Sequence, residues 1–248
     1  MENMQHGINK LKSAGWKFIR LFFLGIFVVP ALATAEPGVS KDVIRIAGIM
    51  DLEGLSKGLG QGMRDGIQAA LKGQKVQGRR VQFIAINDSY SPEKTIAETK
   101  KLAKKNIFMV MGNVGTPTAK AALPILAKHK IPAVGFFTGA GLLRPGVGDV
   151  INYRASYAQE TAAVIRSALR SGVKATEICA YVQNDAYGMA GVEGIKQALV
   201  NEPDTEEAVA LLDEIIQMEG NNPQRNLIGP VGVYTRNTFT SREGYDSL

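Results

Sequence analysis

From residue 41 onward, short β-branched runs alternate with amphipathic stretches, a pattern that leaves few folds open. Strands alternating with helical periods of ten to fifteen residues build a parallel sheet with helices packed on its faces. The spacing predicts a first strand over 43–49 (VIRIAGI), a glycine-rich turn, and a helix over 62–72. A second strand over 81–86 (VQFIAI) precedes a helix over 92–105, with Ser91 as N-cap and Pro92 in the first turn. Strands at 107–111 and 133–136 flank a helix over 118–129, which completes one doubly wound lobe. After the loop-like run Arg144-Pro145-Gly146-Val147-Gly148 the alternation resumes: strand 150–154, helix 159–171, strand 177–183, helix 189–200, an acidic helix over 205–219 and a last strand over 232–235. The expected organisation is therefore a first α/β lobe over 41–151 and a second over 152–248.

Residues 1–35 read differently. Lys10, Lys12, Lys17 and Arg20 form a basic start, Leu21 to Val29 is an apolar run, and Ala33-Thr34-Ala35 supplies the small-x-small pattern read by a signal peptidase. The apolar stretch falls well short of the about 20 residues a spanning helix needs, so we expect export and cleavage after Ala35 rather than retention as an anchor. The mature chain of 213 residues would then be periplasmic. No cysteine follows at the site where a lipid would be attached, so a soluble mature protein is expected.

Export changes the meaning of the composition. Half of the formal net charge of +6 belongs to the first 35 residues, and the rest is spread among interspersed charges of both signs. Lys100, Lys101, Lys104 and Lys105 lie in a helical pattern beside Glu93 and Glu98 and read as a solvated face, so no nucleic-acid partner is expected. Cys179 stands alone in the run Ile178-Cys179-Ala180-Tyr181-Val182, which excludes an intrachain disulfide and suggests a buried core thiol. With His129 the sole histidine after residue 35, neither a zinc site nor a cysteine–histidine pair can be assembled.

No catalytic set appears. The chain has no G-x-S-x-G elbow and no H-E-x-x-H, and Asp51, Glu53, Asp88 and Asp185 fall at separate strand ends without a partner base, so no enzyme is expected. Gly58-Leu59-Gly60-Gln61-Gly62 occupies the position of a dinucleotide phosphate loop but lacks the full G-x-G-x-x-G spacing, and no cofactor is expected. Asp88 is expected to shape the Asn87-Asp88-Ser89 turn.

In open α/β sheets ligands bind beyond the carboxyl ends of strands. Two neighbouring loops there, Gly112 to Thr118 and Phe136 to Ala140, combine glycine with hydroxyls near a helix start, which suits a carboxylate or another small acceptor group; helix capping by Thr116 or Thr118 is the alternative. In the second half, Arg154-Ala155-Ser156-Tyr157 and Asn184-Asp185-Ala186-Tyr187-Gly188 each place a tyrosine just past a strand. There it offers an apolar wall with one polar tip to a cleft, or packs on its own helix start.

Taken in order, Leu52-Glu53-Gly54 through Gly60-Gln61 to Gly66, Asn87-Asp88-Ser89-Tyr90-Ser91-Pro92, Gly112 to Thr118 and Asn184 to Gly188 resemble the type I periplasmic solute-binding proteins. The resemblance is to the branched-chain amino acid (leucine/isoleucine/valine) group that serves ABC importers. It spans roughly residues 43–200 and implies a two-lobed fold, C-terminally incomplete here, that closes on a small amino acid or amide and delivers it to an inner-membrane ABC permease. It further implies that Thr116 meets the ligand carboxylate, that Phe137, Thr138 and Gly139 hold the head group, that Tyr157 lies at the first hinge, and that Tyr187 is brought over the ligand by the second lobe. The chain departs from the pattern at Asp51 and Glu53, in an apparent acidic insertion over 203–222, and in ending before the second lobe's acidic ligand. A ligand-sensing domain of a signalling system and a non-functional fragment remain open as alternatives.

Overall fold

The computed structural model describes residues 36–238, 242–246 and 248; the expected signal segment lies outside the described residues. Strand β1 (Val43–Met50) is the centre of the first sheet, with Ile46, Ala47, Ile49 and Met50 fully buried. It runs parallel to β3 (Arg79–Asn87), in register from Val43 opposite Arg80 to Met50 opposite Asn87. On its other side lie β4 (Met109–Met111), β5 (Ala133–Val134) and β6 (Val150–Ile151), all parallel. A short β2 (Lys75–Val76) pairs antiparallel with β3, giving the order β2-β3-β1-β4-β5-β6. The chain leaves β1 for β3 on one side and returns to β4 on the other, which opens a crevice at the carboxyl ends of β1 and β4. Asn113 bridges it, its Oδ1 accepting from Ile49 N–H at 3.0 Å.

Helices α2 (Pro92–Leu102) and α3 (Thr116–Lys128) pack side by side on one face over Ala47, Ile49, Val110, Ala133 and Phe136. Alternation along parallel strands puts Met111 on the opposite face, where α1 (Lys57–Leu71) lies. An apolar groove of about 630 Å³ runs there between α1 and Met111, Phe137 and Tyr153.

In the second lobe β7 (Ala180–Gln183) and β8 (Val231–Tyr234) pair in parallel. Helices α4 (Tyr157–Arg170) and α5 (Ala186–Leu199) pack against each other. The acidic helix α6 (Glu206–Gln217) closes a core of Val192, Ile195, Leu199, Leu212, Ile215, Val231 and Val233, and a short α7 (Arg242–Tyr245) covers β8. Arg225, 1 % exposed, caps the end of α6 by donating to the carbonyls of Ile215, Met218 and Gly220.

Three local expectations are corrected. Helix α1 begins at Lys57, five residues before the expected start, so Gly58, Gly60 and Gly62 are helical and form no phosphate loop. The cause is Asp51: its carboxylate accepts from the amides of Glu53, Gly54 and Ser56, which folds the turn back early. Gly60 then packs on the Asp51 backbone, where a Cβ would sit 1.8 Å from the carbonyl oxygen. Cys179 is exposed, because it precedes β7, which begins at Ala180. The strand expected over 150–154 ends at Ile151, and Tyr153 is 62 % exposed.

Candidate functional site

The loop from β4 to α3 is shaped by Gly115, the α3 N-cap, at φ +108° and with no side-chain cap. A Cβ there would lie 2.2 Å from the Tyr90 ring, so the glycine admits both the backbone turn and the ring. Capping by Thr116 or Thr118 is therefore not what these residues do. Thr118 Oγ1 donates to the Val114 carbonyl at 2.7 Å, tying the first turn of α3 to the strand end. Thr116, the first residue of α3, is buried and holds its hydroxyl 2.5 Å from that of Thr138 on the neighbouring loop. The Thr138 hydroxyl also accepts from Ala140 N–H at 3.2 Å.

From this pair the contacts run on into the second lobe. The Gly139 carbonyl accepts from Tyr157 N–H at 2.7 Å, at the start of α4. Ser156 fixes that start through a capping box with Gln159. The Tyr157 ring meets Tyr187 edge-on, centroids 5.1 Å apart at 73°. Tyr187 sits in the first turn of α5, its amide donating to Asp185 Oδ1 at 2.9 Å, and its ring is 41 % exposed. Partial burial pushes its hydroxyl pKa up. Arg154 closes the group: its guanidinium lies 5.7 Å from the Phe137 centroid and 5.0 Å from that of Tyr157, while Nη2 donates to both Glu160 oxygens. Thr116, Phe137, Thr138, Gly139, Tyr157 and Tyr187 thus form one contiguous line of contacts, with Arg154 joining Phe137 to the rest.

The sequence reading missed Arg154 as a member. Its spacing of six from Glu160, across a capping serine, is the signal that could have found it. It also missed a second set of contacts between the lobes, around Tyr90. The Tyr90 hydroxyl accepts from Gln183 Nε2 at 3.3 Å, and burial pushes its pKa up to about 12. Gln183 also donates to Asp185 Oδ2 at 2.8 Å, Arg236 Nη1 donates to the same oxygen at 3.2 Å, and the Arg236 guanidinium lies 5.6 Å from the Tyr90 centroid. No short-range pattern links these residues, since Tyr90 and Gln183 are 93 positions apart.

Of the acids expected near strand ends, Asp51 and Asp88 are engaged locally, Glu53 accepts from Asn87 Nδ2 at 3.0 Å, and Asp185 belongs to the Tyr90 set. Asp51 serves its own turn. Asp88 accepts from Tyr90 N–H at 2.9 Å and from Thr95 Oγ1 at 2.8 Å, and burial raises its pKa. Among the described residues no cluster of three His, Cys, Asp or Glu side chains is placed to hold a metal, and no helix is long and apolar enough to cross a membrane.

A family model described as periplasmic binding protein matches residues 43–202. The chain belongs to the periplasmic binding protein family. Among solved structures, it is similar to a protein from Rhodopirellula baltica SH 1 described as a possible leucine/isoleucine/valine-binding protein, at 34 % identity and TM-score 0.68 over 87 % of this chain and 54 % of that one. A substrate-binding periplasmic protein from Ralstonia solanacearum is 23 % identical, with TM-score 0.63 over 82 % of this chain and 53 % of that one. An ABC-transporter solute-binding protein from R. palustris, in complex with 4-hydroxybenzoate, is 23 % identical, with TM-score 0.59 over 65 % of this chain and 45 % of that one. The chain thus spans about half the length of these structures. No protein of curated function matches it. The family's type I fold, two α/β lobes on parallel sheets, is the fold class that the resemblance implied, and its parallel sheets are those expected from the alternating pattern.

Proposed function

We propose that this periplasmic binding protein captures a small solute, a branched-chain or other small amino acid or an amide, between its two lobes and hands it to an inner-membrane ABC permease. The observation that carries the reading is the buried Thr116–Thr138 hydroxyl pair at the carboxyl ends of β4 and β5, joined through the Gly139 carbonyl to a tyrosine pair of the second lobe. Hydroxyls bonded to each other at the start of α3 can turn to a ligand carboxylate without any charge having been buried beforehand, and the α3 dipole favours an anion there. Tyr157 and Tyr187 then supply an apolar wall for the rest of the solute. The description of the Rhodopirellula relative as a possible leucine/isoleucine/valine-binding protein supports this ligand class. Calorimetric titration with leucine, valine, short amides and urea tests it; no heat from any member of a broad amino acid panel would sink it.

A second reading is favoured by the aromatic surround. Arg154 lies over both Phe137 and Tyr157, and Tyr157 in turn meets Tyr187, a surround that suits an aromatic carboxylate. The R. palustris relative is in complex with 4-hydroxybenzoate. Adding 4-hydroxybenzoate to the same panel decides between the two. Delivery, rather than sensing, predicts permease and ATPase genes beside the gene for this chain; a kinase or cyclase there would favour signalling. Export with cleavage after Ala35 predicts a mature N-terminus at Glu36, and sequencing of the exported protein checks it.

A further inference from the structure

We propose that Tyr90, Gln183, Asp185 and Arg236 form a latch between the lobes, separate from the solute-contacting residues, that sets how far the solute-free chain is closed. Where the solute-binding reading above holds, the latch also sets the apparent affinity. Tyr90 belongs to the turn between β3 and α2; Gln183 and Asp185 end β7 and begin α5; Arg236 follows β8.

Each side of the contact is built before the lobes meet. On the first lobe Ser89 and Tyr90 both take left-handed backbone, φ +51° and +55°. Two carboxamide and carboxylate oxygens hold them there: Asn87 Oδ1 accepts from Ser89 N–H at 3.0 Å and Asp88 Oδ1 from Tyr90 N–H. Consecutive non-glycine residues in this region are uncommon and persist where their surroundings fix them. Here the effect is to project the Tyr90 ring over Gly115, beside the solute loop. On the second lobe, Asp185 orients both Gln183 and Arg236 through a single oxygen. Groups already oriented lose little freedom when they join, so even a few weak bonds can align the lobes.

The latch is also incomplete, and this is what makes it adjustable. The Gln183–Tyr90 bond is long at 3.3 Å, the bond from Asn237 Nδ2 to the Tyr90 carbonyl is at the limit at 3.5 Å, and Arg236 Nε is buried without a partner among the described residues. A buried donor left unpaired opposes the contact that buries it. Gains and costs of similar size leave the open and closed forms within reach of each other, the condition under which a solute can tip the balance.

The test uses the solute-free chain, so its outcome does not depend on whether the solute is correctly named. Spin labels on cysteines introduced at the exposed positions Lys104 and Glu207, in a Cys179→Ser background, report the distance between lobes by pulsed electron resonance. Tyr90→Phe keeps the ring and removes only the hydroxyl bond. It should raise the open-to-closed ratio about fivefold, the worth of one neutral hydrogen bond. If Tyr90→Phe fails to melt cooperatively, Gln183→Met makes the same cut from the second lobe. Distance distributions that superimpose on the parent for the folded variants overturn the latch. A shift without any solute binding upholds the latch and removes its link to affinity.

Discussion

The hydroxyl pair offers the sharpest quantitative test, because the bonds left unmade by each substitution can be counted. Thr116 and Thr138 are both buried, their oxygens 2.5 Å apart, and Thr138 alone also serves Ala140 N–H. Valine matches threonine in shape, so hydrogen bonding is nearly all that changes. Thr116→Val leaves one buried hydroxyl short of its partner; at about 1–1.5 kcal/mol for an unmade bond, that is its whole cost. Thr138→Val strands two groups, the Thr116 hydroxyl and the Ala140 amide, and should cost about 2–3 kcal/mol. The double variant strands only the Ala140 amide and should return to about 1–1.5 kcal/mol. Adding a second substitution to Thr138→Val is therefore expected to restore stability, a coupling of the size found for contacting polar pairs. Urea unfolding of the four proteins, read by circular dichroism, gives the three differences. Strictly additive costs, with the double variant the least stable, would refute the assignment of a mutually satisfied buried pair.

Gly60→Ala would place a methyl 1.8 Å from the Asp51 carbonyl and should cost about 3 kcal/mol. Gly62→Ala, which meets open space, should instead stabilise by up to about 1 kcal/mol through helix propensity; denaturant midpoints that move the same way for both count against the close contact. Asp88 has a folded pKa raised above 3.8 by burial, so its contribution is fully present below the unfolded value and is lost as pH rises through the folded one. The stability difference between parent and Asp88→Asn should thus grow in favour of the variant as pH rises above about 4, and parallel pH profiles would show that the carboxyl is not buried as described. Tyr187→Ala removes a ring that is 41 % exposed, so it should weaken solute binding about tenfold or more while changing stability by about 1 kcal/mol or less; calorimetry beside a thermal melt separates the two.

The legible parts of the fold were those set by local periodicity. The order of strands and helices, the Ser91 cap and the switch from the first sheet to α4 all follow from runs of residues that answer to their near neighbours. The start of α1 was not legible for a specific reason. A glycine-rich segment has weak helix propensity of its own, and what converts Lys57–Leu71 into helix is the Asp51 carboxylate collecting three amides several residues upstream. Cys179 was misread because an apolar run looks the same whether a strand is covered on both faces or stands at the margin of a two-stranded sheet. At the site, loop chemistry pointed to the threonines and tyrosines. The partners that orient them, Arg154 and Glu160 on one side, Gln183 and Arg236 on the other, depend on tertiary distance and leave no pattern in the chain.

The charges around the cleft carry a further consequence for how a solute is held. Asp51 is spent on three backbone amides, Arg154 on Glu160, and Asp185 on Gln183, Arg236 and the Tyr187 amide. What the line from Thr116 to Tyr187 offers is hydroxyls, a helix start and rings: neutral dipoles rather than free ions. Such groups are weak in open water and gain strength as the local dielectric falls. Under the proposed solute binding, recognition by this set would depend on excluding water, and closure of the second lobe over the threonine pair would exclude it. A cleft built of unpaired charges could hold an ionic solute while open; one built of satisfied charges and dipoles needs closure to bind at all. If both proposals hold, the geometry of the site is tied to the geometry of the hinge, and the residues that align the lobes matter as much as those that touch the solute.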